Sequence, residues 1–465
     1  FIIFRKIKMR RYKLEQSNKE ITSHAGMALI GSAIDNFTSM TKTIDLALPK
    51  RHGTPTSDII KAYIGIVSQG KNDFEAINGV RNDDFFHQAM GISKKLPTET
   101  SVRTRMNNEA ETLIPLINDE NIEFIINRNV PITPLYTGHI PLDIDVTPHD
   151  NSKTEKEGVS LTYKKMDGYA PIASYFGQEG WCVGYELRNG SQHSQCGFIE
   201  TLENNFKAVN KIMKNQPNHS QSVLVRLDSG HDAKESRFWL HNLEDRFLTD
   251  FIIKWNPRKE ASENNKLKWF EYAKQLGCET QWSNPREGKK VATFSLFINE
   301  YDNGIIRTTR RVMQITERTI DKKGQSLLIP TYEIEGWWTT LENPDQEILA
   351  LYRDHATSEQ FHSEIKTDLD LERLPSGKFS SNKLILTIAI QVYNILKWIG
   401  LAGLMSKDSP IRHKSKRRRI RTVIQELIYI GSHVYERSRR LTIRFGKSTV
   451  AFLSFNRVYQ QLAYG

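Results

Sequence analysis

Apolar residues recur three and four positions apart between residue 14 and about residue 130. The stretches SDIIKAYIGIVSQG and FEAINGVRNDDFFHQAMG have this spacing, which is typical of amphipathic α-helices. The next stretch, GISKKLPTETSVRTRMNNEAE, combines a Gly turn, a Pro, candidate Thr and Ser caps and a basic helix start. It suits a helix-turn-helix reader and, equally well, a helical bundle packed on another domain. We predict a helical domain here.

The pattern changes at about residue 138, where HIPLDIDVT alternates strictly between apolar and polar residues. Further strands are predicted in YAPIASYFG, WCVGYELRNG, SVLVRLDSG and FLTDFIIKWN. Helices are predicted in CGFIETLENNFKAVNKIMKNQ, before the fourth strand, and in KESRFWLHNLEDR, before the fifth. This order predicts an α/β layer with three leading antiparallel strands and later parallel ones.

Three β-like stretches then interrupt this plan, and helices follow from Tyr352 onward. NKLILTIAIQVYNILKWIGL is a largely apolar helix with charge only near its ends, so we expect it to be buried. KSKRRRIR and ERSRRLTIRFGK make the tail basic. We therefore predict six segments: a basic leader (1–13), a helical domain (14–130), the first part of the α/β core (131–258), a β-rich insertion (259–345), core helices (346–400) and a basic C-terminal segment (401–465).

The charge balance indicates an anionic partner. The 465 residues include 65 Lys+Arg and 54 Asp+Glu, which gives a net charge of +11, and nucleic acid is the commonest such partner. A membrane surface is disfavoured because no apolar run approaches the roughly 20 residues that span a bilayer. Three cysteines are too few for a disulfide framework or a four-thiolate zinc site, so a reducing cytoplasm is expected. Met9 is a candidate start of the chain.

Two aspartates fall where active sites collect in α/β sheets. Asp145 lies on the polar face of the first predicted strand, and Asp228 ends the fourth. On neighbouring strands their carboxylates would repel each other unless a cation lay between them. Mg²⁺ prefers oxygen ligands, often one or two carboxylates with substrate phosphate, and Mn²⁺ accepts the same ligands. We therefore predict a divalent-metal site.

A helix over YRDHATSEQFHSEIK supplies Glu359 as the third candidate ligand. At about 100° per residue, five polar side chains fall within roughly an 80° sector: Tyr352, His355, Glu359, His362 and Lys366. In metal-assisted phosphoryl transfer, such a Glu completes the shell of two ions about 3.5–4 Å apart. The Lys then neutralises a phosphate, and the Tyr or His orients the strand. A solvated helix face is the alternative, which the two strand-borne aspartates disfavour.

Further residues are weaker candidates. Asp143 shares the face of Asp145 and is the alternative first carboxylate. Lys254, which ends the fifth strand, is a candidate DNA contact. Trp337 and Trp338 are candidates for stacking on a flipped base, although Trp in a strand is more often core. The basic cluster 414–421 predicts a phosphate-binding patch, with three candidate contacts: Arg417, Arg418 and Arg419.

Several of these residues stand in phrases that resemble a known family. The D-x-T at Asp145, LDSGHD around Asp228 and Tyr-x2-His-x3-Glu-x6-Lys from Tyr352 to Lys366 resemble signatures of bacterial insertion-sequence transposases of the DDE superfamily. The nearest branch is the cut-and-paste one with a Tyr-x2-Arg-x3-Glu-x6-Lys signature. GYAPI, ELRNGSQHSQ and ERLPSGKF resemble further phrases of that branch, and the resemblance spans about residues 50 to 455.

One departure from the signature concerns a cation. His355 stands where the family has Arg, and Arg353 lies two residues earlier. Histidine is a weaker and pH-dependent cation, so both residues are candidate DNA contacts.

The resemblance implies a ribonuclease-H-like mixed-sheet catalytic core interrupted by a β-rich insertion, with a helical domain before it and a basic segment after it. It implies that Asp145, Asp228 and Glu359 bind Mg²⁺ or Mn²⁺, in two ions, and that Tyr352 and Lys366 contact DNA. The implied activity is hydrolysis and strand transfer at terminal inverted repeats, through a hairpin intermediate that the insertion helps to handle.

The implied partners are double-stranded transposon ends and target DNA. The N-terminal helices would recognise the ends, and pairing two ends implies a homodimer in the DNA complex, without membrane binding. The expected compartment is the bacterial cytoplasm, in association with the nucleoid. Two alternatives remain: a ribonuclease-H-like DNA nuclease without strand transfer, and an inactive, transposase-derived DNA-binding protein.

Overall fold

The structure, a computed structural model, describes residues 13–16, 18–215, 222–244, 248–321, 323–437 and 440–464. Residues 1–12, which make up most of the predicted leader, lie outside this part of the chain. Within it, a layer of helices, a large mixed sheet and a C-terminal group of helices bury most of their apolar side chains in one shared cluster. The six predicted segment boundaries stay predictions.

The predicted N-terminal helices are present after a short strand, β1 (Ile21–Thr22). They are α1 (Met27–Phe37), α2 (Met40–Ala47), α3 (Thr56–Val67), α4 (Ile77–Val80), α5 (Asp84–Ala89) and α6 (Glu99–Asn127). Asp83 starts α5 by accepting a hydrogen bond from the backbone N–H of Phe86, one of the donors that a helix start leaves free. α6 is one continuous helix with a buried face, which favours the bundle alternative over a helix-turn-helix.

The predicted α/β layer is also present. Its elements are β2 (Ile140–Val146), β3 (His149–Asp150), β4 (Ser160–Leu161), β5 (Asp167–Tyr169), β6 (Ile172–Phe176), β7 (Trp181–Glu186), α7 (Phe198–Lys214), β8 (Val223–Leu227), α8 (Lys234–Glu244) and β9 (Thr249–Lys254). The order across the sheet is β7-β6-β2-β8-β9. β2, β6 and β7 are antiparallel, whereas β8 and β9 run parallel to β2. Both observations confirm the predicted pattern.

The segment predicted as a β-rich insertion extends the central sheet. It consists of α9 (Glu263–Gln275), β10 (Gln281–Arg286), β11 (Lys289–Asp302), β12 (Ile305–Ile320) and β13 (Ser326–Thr339). β13 pairs antiparallel with β9, and Trp337 lies opposite Lys254. Nine of the described strands therefore form one sheet, in the order β10-β11-β12-β13-β9-β8-β2-β6-β7.

The helix predicted to carry Glu359 is not one continuous α-helix. It consists of α10 (Asp345–Asp354), a 3₁₀ turn at His355–Thr357, α11 (Ser358–Ser363) and a π-helical turn at Glu364–Asp368. The expectation of a uniform 100° step per residue is therefore wrong across this segment. The π-helical turn is a feature that is common at functional sites.

The apolar helix α12 (Phe379–Leu404) lies inside the protein and packs along α6. By length and composition it is apolar enough to cross a membrane, so the expectation that no segment approaches that limit is wrong. However, 94% of its most apolar stretch is buried within the protein. Burial explains the composition, since a helix enclosed on all sides is apolar all round.

The chain ends in a small sheet and helices that return to the N-terminal layer. These elements are α13 (Ile420–Val423), β14 (Ser432–Arg437), β15 (Arg440–Phe445) and α14 (Phe452–Ala463). β14 lies between β1 and β15, so a strand from each end of the chain contributes to one sheet. α14 packs on α1 and α12.

Candidate active site

Asp145 and Asp228 lie side by side at one end of the sheet. β2 and β8 pair in parallel, and Ile144 lies opposite Leu227. Asp145 is the next residue of β2, and Asp228 immediately follows the end of β8. Adjacent strands are about 4.8 Å apart in such sheets. The structure therefore brings together the two carboxylates that the sequence singled out.

Asp145 is partly covered, with 23% of its side chain exposed. Its Oδ1 accepts a hydrogen bond from the backbone N–H of Val146 at 2.7 Å, and its Oδ2 lies 3.6 Å from Nε2 of His362. Burial alone would raise the pKa of Asp145, but the imidazole of His362 and two more distant histidines hold it below its ordinary value. Asp145 is therefore ionised at neutral pH.

Asp228 is more open, with 42% of its side chain exposed. Its Oδ1 accepts a hydrogen bond from the backbone N–H of Gly230 at 3.1 Å and lies 2.7 Å from Nδ1 of His231. His231 is fully buried against Phe198, with ring centroids 4.2 Å apart, so its ring is held in place. In the described part of the chain Oδ2 accepts no hydrogen bond, which leaves it free for a ligand.

Asp143, the alternative first carboxylate, has both of its oxygens bound by other side chains of the protein. Its two oxygens accept hydrogen bonds from Nε and Nη2 of Arg226 at 2.6 and 2.7 Å, and Nδ1 of His355 lies 3.0 Å from Oδ1. Burial would raise the pKa of Asp143, but Arg226 and His355 lower it to about 2. Arg226 also donates to the carbonyl of Leu351. Asp143 thus joins β2 to the helical segment, which favours Asp145 as the ligand.

The predicted polar stripe is split by the 3₁₀ turn. His355 is buried and directed at Asp143, so its predicted DNA contact is not supported by its position. Tyr352 is half-buried, and burial together with the charges of Asp228 and Asp145 raises its pKa. Tyr352 therefore lies near both carboxylates of the sheet.

Glu359 is exposed on α11. It forms no hydrogen bond or ion pair with the described residues, and no contact joins it to Asp145 or Asp228. His362, three residues later, lies on the same side of the helix, since residues three apart are neighbours on a helix surface, and His362 approaches Asp145. Glu359 is therefore one helical turn from the site without being part of it here.

The donor set at the sheet fits a hard divalent cation. Among the residues that the structure describes, no group of three His, Cys, Asp or Glu side chains is close enough to hold a metal ion. The pair Asp145 and Asp228 nevertheless offers adjacent, partly exposed carboxylate oxygens. Mg²⁺ commonly takes one or two carboxylates and completes its shell with water and substrate phosphate. The two aspartates meet that requirement.

The whole chain matches one protein family. Residues 4–464 match the family model described as transposase DDE domain group 1. The chain belongs to the DDE transposase family. Members of this family typically use divalent metal ions.

Among solved structures, this DDE transposase is similar to piggyBac transposase in a cryo-EM structure of its synaptic complex with hairpin DNA. The identity is 14% and the TM-score 0.41, over 89% of this chain and 83% of that one. No curated protein sequence matches the chain.

Three other predicted DNA contacts of the transposase lie at or near the surface. Lys254 donates to Oε1 of Glu335 at 2.9 Å and is partly exposed. Arg353 is exposed. Lys366, in the π-helical turn, donates to the carbonyl of Pro148 at 2.7 Å and lies 3.0 Å from Oε2 of Glu372. Of the three, Lys366 is the most strongly held by the protein.

Trp337 and Trp338 are buried, with 3% and 5% exposed. The guanidinium groups of Arg237 and Arg311 lie 4.3 and 5.0 Å from the ring of Trp338, and the ring of Tyr352 lies 6.0 Å from that of Trp337. Their neighbours cover both rings, so neither is open to a flipped base in this structure. The core alternative accounts for their positions.

The three arginines of the predicted phosphate patch bind to groups of the protein itself. Arg417 pairs with the buried Glu364, and Nε of Arg419 donates to Oδ2 of Asp368 at 2.8 Å. Arg418 donates to backbone carbonyls, including that of Leu404 at 3.1 Å. The positions of the three arginines therefore do not support free phosphate contacts, because Arg417 and Arg419 already face carboxylates and Arg418 faces carbonyl groups. Arg417 and Arg419 instead clamp the two ends of the π-helical turn.

Arg417→Met is expected to lower the free energy of unfolding by about 2 kcal/mol. Glu364 is 1% exposed and would lose its ion-pair partner while remaining a buried carboxylate, with only the weaker influence of Lys397 and Arg419 left. Urea denaturation measures the change. Lys416→Met, at an exposed neighbour, serves as the control and should stay within about 0.5 kcal/mol of wild type. Equal losses in the two variants would contradict the clamp.

Sequence reasoning missed two residues at the site, His231 and Tyr163. The hydroxyl of Tyr163 donates to the carbonyl of Val146 at 3.2 Å, and burial with the charges of Asp145 and Asp228 raises the pKa of Tyr163 to about 12. The spacing of His231, three residues after Asp228, was an available signal, because a single turn brings such residues together. The sequence carries no such signal for Tyr163.

Proposed function

We propose that this protein is a DNA transposase that carries out metal-dependent hydrolysis and strand transfer at the terminal inverted repeats of an insertion sequence. The observation that carries the proposal is the adjacency of Asp145 and Asp228 on parallel strands of a chain that belongs to the DDE family. Adjacent acidic groups at strand ends suit a cation that binds phosphate.

The topology supports a ribonuclease-H-like catalytic core. Numbered along the chain, the five core strands lie in the order 3-2-1-4-5, with strand 2 antiparallel to strand 1 and strands 4 and 5 parallel to it. The carboxylates lie on strands 1 and 4, at the centre of this sheet. Central strands hold side chains more rigidly than loops, which suits positioning for phosphoryl transfer.

Asp145, Asp228 and Glu359 would hold the divalent cation, Mg²⁺ or Mn²⁺ and two ions in our proposal. When bound, it would supply Lewis-acid stabilisation and an activated oxygen nucleophile. The chain itself orients the ligands: His231 fixes one oxygen of Asp228, and His362 approaches Asp145. Glu359 is exposed on α11, one helical turn from His362, and would have to move toward the two aspartates to complete the set.

The proposed reaction consists of four phosphoryl transfers. Hydrolysis would break a P–O bond at each transposon end and free a 3′ hydroxyl, which would attack the opposite strand and close a hairpin as a second P–O bond breaks. Hydrolysis of the hairpin would free the 3′ hydroxyl again, and that hydroxyl would attack target DNA, where one P–O bond forms as another breaks. Tyr352, next to the carboxylates, and Lys366 would orient the strand, while Lys254 and Arg353 contribute positive charge near the sheet.

Double-stranded DNA is the proposed partner, which agrees with the net charge of +11. The N-terminal helices would recognise the ends, and two ends paired in one complex require at least a homodimer. The bacterial cytoplasm, at the nucleoid, is the compartment where such a substrate is available.

Two observations favour a second candidate, an inactive transposase-derived DNA-binding protein. Glu359 does not contact the aspartates, and His355 replaces the arginine of the resembling signature. A nuclease without strand transfer is a third possibility on the same fold. Incubation of pre-cut ends with target DNA separates these functions, because joined products require strand transfer.

Glu359→Gln is expected to reduce Mg²⁺-dependent cleavage of the element's end sequence by about a hundredfold, since one lost metal ligand costs about 3 kcal/mol of transition-state stabilisation. Single-turnover cleavage of a labelled duplex measures the rate. Glu342→Gln makes the same chemical change at an exposed loop position and should leave the rate unchanged. Equal rates in wild type and Glu359→Gln would remove Glu359 from the mechanism.

A further inference from the structure

One face of the C-terminal hairpin carries positive charge that no carboxylate in the described part of the chain neutralises. β14 and β15 pair antiparallel, and opposite residues of such a pair point to the same side of the sheet. Every second pair therefore shares one side. We call this set the hairpin face: His433, Tyr435, Arg437, Arg440, Thr442 and Arg444.

The opposite side of the hairpin packs on the protein, so the hairpin face points outward. Val434 is 1% exposed, and the ring of Phe445 lies 4.8 Å from that of Phe455 on α14. Arg437, Arg440 and Arg444 are exposed. The alternation of the two strands thus places apolar residues inward and arginines in solvent.

These three arginines differ from Arg417 and Arg419 of the basic cluster. No carboxylate of the described residues pairs with Arg437, Arg440 or Arg444, whereas Glu364 and Asp368 neutralise the other two. Arg437 also lies directly opposite Arg440. Like charges at opposite positions of a strand pair destabilise it, so this arrangement favours a surface that meets an external anion.

Aromatic rings hold part of the hairpin face in place. The rings of His433 and Tyr435 stack with centroids 5.4 Å apart. The guanidinium of Arg444 lies 4.7 Å from the ring of Tyr435, and its Nη2 donates to the tyrosine hydroxyl at 2.6 Å. One donor of Arg444 is used in this way, and its remaining N–H groups keep a fixed direction, which reduces the entropy lost on binding an anion.

Acidic residues border the face on the side of β1. Ile21 lies opposite His433. Burial and the charges of Asp84 and Asp83 raise the pKa of the preceding residue, Glu20, while His433 lowers it. An anion is therefore repelled at this border and attracted at the three arginines.

We infer that the hairpin face is a second DNA-binding site, which holds the phosphate backbone of a duplex without reading its sequence. Arginine forks match phosphate oxygens, and backbone contacts position a protein on DNA but carry no base information. The inference rests on the proposed function for the identity of the anion as duplex DNA. We therefore place the phosphate contacts of the basic tail in the hairpin and not in residues 414–421.

The test uses the full chain, a labelled random-sequence duplex, chelator to prevent cleavage, and fluorescence anisotropy across a salt series. In the triple variant Arg437→Gln/Arg440→Gln/Arg444→Gln, the slope of log affinity against log salt should fall by about 2.7, or about 0.9 for each lost phosphate contact. The matched control removes three exposed lysines of α7: Lys207→Gln, Lys211→Gln and Lys214→Gln. Its slope should stay close to that of wild type.

Three results would overturn the inference: equal slopes in both triple variants, tighter wild-type binding to phosphatidylserine vesicles than to the duplex, or loss of the slope in a charge-retaining Arg→Lys triple variant. Thermal unfolding checks that the variants fold, and removal of opposed like charges should not lower their midpoint.

Cleavage with Mg²⁺, measured in parallel, separates the two proposals. DNA binding that depends on the three arginines, without any cleavage, would contradict only the proposed function. Cleavage together with unchanged DNA binding in the hairpin variant would contradict only this inference.

Discussion

Asp228→Asn is expected to reduce metal-dependent DNA cleavage by at least about a thousandfold, and Asp145→Asn by a similar factor. Each change removes a charged oxygen ligand from the pair at the strand ends, which at about 4 kcal/mol of transition-state stabilisation corresponds to that factor. Single-turnover cleavage of a labelled end duplex at saturating Mg²⁺ measures the loss. Asp119→Asn, at an exposed position of α6, is the matched control.

The same variants have a readout that does not depend on activity. Bound Mg²⁺ stabilises the folded state by about 2.7 kcal/mol at a concentration of 100 times its dissociation constant. Mg²⁺ should therefore raise the unfolding temperature of wild type and of Asp119→Asn, but not of Asp228→Asn. Without Mg²⁺, Asp145→Asn should be less stable than wild type at neutral pH, because the histidines that lower the pKa of Asp145 stabilise its ionised form. The Mg²⁺ shift is therefore compared within each variant, with and without the ion. An equal Mg²⁺ shift in all four proteins would show that the ion binds elsewhere.

The sequence was most informative about the sheet. Strict alternation in HIPLDIDVT and the short apolar runs that follow predicted β2, β6, β7, β8 and β9 in their correct order. The ends of parallel neighbours meet at one edge of a sheet, so Asp145 and Asp228 are adjacent once β2 and β8 pair. Their adjacency was predicted on condition of that pairing, which the structure supplies. These strand patterns are local and have a fixed period, so contacts with distant parts of the chain did not alter them.

The helical segment after β13 was less predictable. Its apolar and polar spacing is consistent with a continuous helix, yet the structure has a 3₁₀ turn at His355–Thr357 and a π-helical turn at Glu364–Asp368. The predicted polar stripe is interrupted where buried contacts with distant parts of the chain, such as that of His355 with Asp143, accompany the irregular turns. No local period encodes such a partner.

The basic cluster 414–421 illustrates the same limit for charge. A run of cations predicts an anionic partner but not whether that partner is a DNA phosphate or a carboxylate of the chain. Glu364 lies 53 residues before Arg417 in the sequence, and only the fold brings them together. In the hairpin, by contrast, strand alternation separates inward apolar from outward basic residues, so the free charge follows from the pairing.

Arg226→Met is expected to lower the free energy of unfolding at pH 7 by about 3–5 kcal/mol, the cost of breaking a buried ion pair by removing one partner. Asp143 is 4% exposed and would lose both hydrogen bonds to the guanidinium. The carbonyl of Leu351 would lose its donor as well. Arg353→Met, at an exposed arginine nearby, should change stability by less than about 0.5 kcal/mol. Urea denaturation compares the variants.

The pH dependence identifies the carboxylate responsible for that loss. In wild type the folded-state pKa of Asp143 lies at about 2, below its ordinary value of 3.8, so its contribution to stability is complete above pH 3.8 and disappears as the pH falls toward 2. In Arg226→Met only His355 still opposes the effect of burial, so the pKa of Asp143 rises relative to wild type and the variant gains relative stability as the pH falls. The difference between the two proteins should therefore be largest at neutral pH and shrink steadily below it. The double variant Asp143→Leu/Arg226→Met should recover most of the loss, because it leaves no buried charge unpaired. A difference that stays constant down to pH 3 would mean that lost packing, and not the ion pair, destabilises the variant.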